Sequence, residues 1–82
     1  MKEEIYIDTI SGEKLIKEIW YYNNGNIQRE YYFINNEYHR EDGPAIICYY
    51  GNGNIEVEYY FINGKEITDE LQIMVMKGLS NI

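Results

Sequence analysis

Residues 19–38 read IWYYNNGNIQREYYFINNEY, and residues 47–66 read ICYYGNGNIEVEYYFINGKE. Laid over one another without a gap, at a period of 28, the two stretches agree at 13 of 20 positions. Their shared frame is YY-x-NGNI-x-x-EYYFIN, so the middle of the chain is one unit written twice. Each copy places an Asn-Gly pair, Asn24-Gly25 and Asn52-Gly53, between runs of aromatic and β-branched residues. That pattern predicts a β-hairpin closed by a two-residue type I′ turn, in which both central residues need positive φ. Asn35-Asn36 and Asn63-Gly64 end the second strand of each copy in the same way. Upstream, EEIYIDTISGEKLIKEIWYY adds a further hairpin around Ser11-Gly12.

Strands are therefore expected near 4–10, 14–22, 27–34, 45–50 and 55–62, with short returns near 37–39 and 65–67. All pairing is local and antiparallel, because parallel strands need long crossovers for which the chain has no room. The expected fold is mostly β: an antiparallel β-meander of tandem hairpins with one C-terminal capping α-helix. The chain of 82 residues is a single domain, 1–82. It divides into an N-terminal hairpin (4–22), two repeats (19–45 and 47–66) and a helix (68–78). In the tail, TDELQIMVMKGLSNI, Thr68 serves as N-cap, Asp69 and Glu70 suit the positive end of the helix, and Gly78 is a C-terminal stop. Leu71, Met74 and Val75, at i, i+3 and i+4, form the stripe expected to face the sheet.

Two-residue turns fix the register: Tyr50 opposite Ile55, Cys48 opposite Val57, Ile46 opposite Tyr59. One face then carries Trp20, Arg29, Tyr31, Phe33, Tyr59 and Phe61, and reads as core. The other carries Glu30, Tyr32, Tyr49, Glu56, Glu58 and Tyr60, too apolar to be idle and too acidic to be buried throughout. Those six residues are the expected partner-binding set.

Between the copies lies HREDGPA, residues 39–45, with the only histidine and the only proline. Asp42-Gly43 is turn chemistry, and Pro44 fits the first residue of a strand. Nucleophilic catalysis needs an activated Ser, Thr or Cys beside a base, but Thr9, Ser11, Thr68 and Ser80 fall in turns or near the ends. One His with carboxylates falls short of a metal site's usual ligand set. The loop reads as the connector between units; no enzyme activity, cofactor or metal is expected.

The extended frame, with HREDGPA between the YY-x-NGNI copies, resembles MORN-variant repeats of the HR-x-DGPA type found in phage, giant-virus and bacterial proteins. The resemblance covers residues 19–70. It implies a single-layer meander of hairpins that serves as a protein-interaction or scaffolding surface; some members of that group are antitoxin-like.

Fourteen acidic against seven basic residues give a net charge of −7. Phosphate backbones and anionic membranes call for clustered Lys and Arg, so neither nucleic acid nor membrane is an expected partner. The expected partner is a protein with a basic surface, and a homodimer is a variant of that reading. Cys48, the lone cysteine among apolar neighbours, reads as a small buried hydrophobe, and a cytoplasmic location is expected. The function expected is a non-enzymatic protein-interaction module using the Tyr/Glu face and the edge strands. The alternative is an acidic inhibitor encoded by a phage or mobile element, anti-CRISPR-like, that blocks the nucleic-acid-binding surface of a host defence effector.

Overall fold

The computed structural model describes residues 1–9 and 12–79. Seven strands follow: β1 (Lys2–Asp8), β2 (Lys14–Tyr21), β3 (Ile27–Ile34), β4 (Glu37–Tyr38), β5 (Ile46–Tyr49), β6 (Ile55–Ile62) and β7 (Lys65–Ile67), then helix α1 (Glu70–Leu79). The sheet is antiparallel in the order β1-β2-β3-β5-β6-β7, and β4 pairs with the end of β3. This is the expected meander with one terminal helix. Ser11, half of the first expected turn, and Ser80 lie outside the described residues.

The turns explain the register. Gly25 and Gly53 have φ of 89° and 94°, whereas Asn24 and Asn52 do not enter the positive-φ region. Each is the left-handed last residue of a three-residue loop, closed by Tyr22 N–H to Asn26 O (2.9 Å) and Tyr50 N–H to Asn54 O (2.8 Å). The Asn24 and Asn52 carboxamide oxygens instead accept from the N–H groups of Asn26 and Asn54. The expected type I′ turns at these two sites are thus corrected: glycine takes the strained position and asparagine bonds the backbone locally. A bulge lies beside each loop, between Trp20 and Tyr21 and between Cys48 and Tyr49. Loop and bulge each displace the pairing by one residue in opposite senses. Beyond them Cys48 faces Val57 and Ile46 faces Tyr59, as a two-residue loop would have it, while Ile55 faces Tyr49 rather than Tyr50. True two-residue turns with both residues at positive φ occur at Asn35-Asn36 and Asn63-Gly64.

The residues share faces as expected, but the buried face is the opposite one. Ile19, Glu30, Tyr32, Ile47 and Tyr60 are buried, joined by Ala45 and His39 of the connector and Met76 of α1. Connector and helix both supply buried residues, and they cover the part of this face around Glu30, Tyr32 and Tyr60. On the other face Trp20 and Tyr59 are exposed, and Tyr31, Phe33, Ile46, Cys48 and Phe61 are half-buried. Cys48 is accordingly not a buried hydrophobe.

Helix α1 is rotated from expectation. Asp69 is the N-cap, its carboxylate accepting from the N–H groups of Leu71 (2.9 Å) and Gln72 (3.3 Å). The helix runs through Gly78 to Leu79, so Gly78 does not end it. Leu71, Met74 and Val75 are exposed, whereas Ile73 is half-buried, Met76 is buried and Lys77 approaches the Tyr60 ring at 5.9 Å. No described helix is long and apolar enough to cross a membrane.

Candidate partner-binding surface

The connector locks the two units together. After β4 the chain leaves β3, and His39 N–H donates to Tyr32 O (3.0 Å). Arg40 N–H donates to Phe61 O (3.1 Å), and Ala45 N–H to Tyr59 O (2.9 Å), so the loop is hydrogen-bonded to the second unit. His39 Nδ1 accepts from Asn63 N–H (3.0 Å), which fixes the imidazole as the tautomer protonated at Nε2. The Arg40 guanidinium lies 4.2 Å above the Tyr32 ring and donates to Asp42 (3.0 Å) and to Pro44 O (3.3 Å). A Cβ at Gly43 would come within 2.9 Å of that guanidinium, so any larger residue there would displace the arginine from its seat. The His39 ring and the backbone of His39, Arg40 and Ala45 thus join the repeats, while Asp42 holds Arg40 within the loop and the Glu41 side chain is exposed. Among the described residues, no group of three or more His, Cys, Asp or Glu could hold a metal ion.

Beneath the connector, β2, β3 and β5 bring together a polar cluster. Glu30 receives the Tyr49 hydroxyl at 3.0 Å and lies 3.5 Å from the Lys17 ammonium, which in turn approaches the Tyr32 ring at 5.5 Å. Burial, and then the neighbouring Glu30 charge, push the Tyr49 hydroxyl up from 10.0 to about 12. An unfolded tyrosine ionises near pH ~10, so the unfolded chain releases this proton first. The Tyr49 contribution to stability is complete below that pH and is lost as pH rises towards about 12. Between about pH 9 and about pH 11.5 the urea midpoint should fall further in the wild type than in Tyr49→Phe. Equal falls in the two proteins would refute this role of Tyr49.

Of the expected partner-binding residues, Glu30, Tyr32 and Tyr60 are only 7%, 6% and 5% exposed. They are core, and cannot be contact residues while connector and helix are in place. Tyr49 and Glu58 are half-buried, and only Glu56 is exposed. The expected set is therefore corrected from a surface to a covered cluster with a rim.

The accessible surface with the greatest contact potential is the opposite, open face. Phe33 and Tyr38 stack at 5.0 Å between ring centroids, Tyr31 and Tyr38 at 5.9 Å, and Tyr38 meets Phe61 at 5.3 Å, carrying the strip from the first unit into the second. Trp20, 38% exposed, stands across from Arg29, whose guanidinium donates to the Tyr31 hydroxyl at 3.2 Å. Trp20, Arg29, Tyr31, Phe33 and Tyr38 line an open depression of about 430 Å³. Sequence reading assigned this face to the core. Arg29 between aromatic neighbours was the available signal against that, since an arginine is almost never fully buried unless paired.

Comparison with protein-family models, with curated proteins and with solved structures returned no match to this chain.

Proposed function

We propose that this protein is a non-enzymatic interaction module, built as a MORN-variant-like repeat, that docks a basic protein on its open aromatic face. The observation that carries this reading is the uncovered strip through Tyr31, Phe33, Tyr38 and Phe61, which spans both units. Aromatic side chains provide rigid contact area at low entropic cost, and Trp, Tyr and Arg dominate binding hot spots. Lys and Arg side chains of a basic partner would gain cation–π contacts on these rings, and the net charge of −7 would steer their approach. A cytoplasmic setting fits the single unpaired Cys48.

The test compares tagged wild type with a Trp20→Ala/Tyr31→Ala variant as baits in nuclease-treated lysate of the native host. Circular dichroism checks that both keep the sheet. A basic protein held by the wild type should bind the variant at least about tenfold more weakly, the cost of losing one hot spot. Retention of the same proteins by both baits would overturn the reading. Recovery of further copies of this chain alone would replace it with self-association.

A further inference from the structure

The repeat leaves one strand position vacant. In the first unit the outer edge of β3 is filled by β5, with Arg29, Glu30 and Tyr31 opposite Cys48, Ile47 and Ile46. The corresponding residues of β6, one period on, are Val57, Glu58 and Tyr59. Their inner edge pairs with β5, but on the outer edge β7 covers only Tyr60, Phe61 and Ile62. Residues 74–76, which the period would place opposite 57–59, belong to α1 instead. An open groove of about 560 Å³ remains there, floored by β6 and walled by β7 and the helix.

The groove's chemistry selects its occupant. Its charged lining is Glu56, Glu58, Glu66 and Glu70 against Lys77 alone. It also contains Tyr60, 5% exposed, whose buried hydroxyl lies on the helix side of the groove with Lys77 over its ring. We propose that the outer edge of β6 is a second binding site, distinct from the aromatic face, which takes an extended basic peptide segment as an added antiparallel strand. The segment's backbone would bond the outward N–H and C=O of Glu58, as Ile47 does for Glu30 in the first unit. Its Lys or Arg side chains, at alternate positions about 6.7 Å apart, would meet Glu56 and Glu58. The exposed edge strand of a second copy is a poor occupant, because β1 carries Glu3, Glu4 and Asp8 and would set carboxylates against carboxylates.

The test is fluorescence anisotropy on the full chain with a short labelled peptide alternating Arg and Thr. Two controls accompany it: the same peptide with Glu for Arg, and one with the backbone amides of its Arg residues, those that would face Glu58, N-methylated. The Arg peptide should bind, weaken with added salt, and lose about tenfold or more in affinity to Glu56→Lys/Glu58→Lys. N-methylation should abolish binding, because strand addition needs the peptide's N–H groups. Equal affinity of the N-methylated peptide would reduce the site to charge attraction and overturn strand addition. Unchanged binding to the double variant, or no binding by the wild type, would overturn the site itself.

Discussion

His39→Ala is expected to lower the free energy of unfolding by about 2 kcal/mol, the lost hydrogen bond and the void left by a buried side chain together. The imidazole is only 7% exposed and its Nδ1 is the acceptor for Asn63 N–H, 24 residues away in the next unit. Removing it strips that N–H of its acceptor and leaves a void beside the joint between units. For a domain of this size each kcal/mol moves Tm by about 4–8 °C, so the expected shift is about 8–16 °C. His39→Gln, which keeps an acceptor, should recover part of the loss. A shift of Tm below about 3 °C in His39→Ala would mean that the unit joint is held elsewhere, the Arg40 stack on Tyr32 being the next candidate.

Glu30→Ala is expected to cost about as much or more, roughly 2–4 kcal/mol. It removes the acceptor of the Tyr49 hydroxyl and the counter-charge of Lys17 together. Lys17 keeps 24% of its side-chain surface, so water screens part of the loss and the upper figure is a ceiling. The cluster is held by mutual pairing rather than by intrinsic preference for charge. Replacing both ends, Lys17→Met with Glu30→Leu, should therefore cost less than Glu30→Ala alone. Urea titration of the two single variants and the double gives the coupling directly. Additive losses would show that Lys17 and Glu30 do not act as a pair.

The repeat made the topology legible, because a period of 28 with identical turn residues leaves one economical way to pair the strands. The register also survived, although the turns at Gly25 and Gly53 are of another type, since each loop's offset is undone by the bulge beside it. What alternation could not settle was which face is inside. Tyr31-Tyr32 and Tyr59-Tyr60 put a tyrosine on both sides of the sheet, so neither face stands out in polarity. The decision rests with Arg40, Pro44 and Ala45, whose packing depends on the path of a loop rather than on local sequence. Helix α1 misled as well: Leu71, Met74 and Val75 make the better stripe, yet it is Ile73 and Met76 that turn inward. The candidate site was hidden with the face, and the vacant edge of β6 was visible only once β5 had been seen to fill its counterpart on β3.

Strand order also has a mechanical meaning. From β1 to β7 the sheet follows the chain, so the two outermost strands are its first and last. A pull between them acts along the ladder hydrogen bonds and breaks them a pair at a time, as a zip opens, rather than shearing a whole strand interface at once. Force therefore meets little resistance until it reaches the joint where His39 and Arg40 grip Asn63 and Phe61. A processive unfoldase would peel β1 and β2 easily from one end, or α1 and β7 from the other, and pause at that joint.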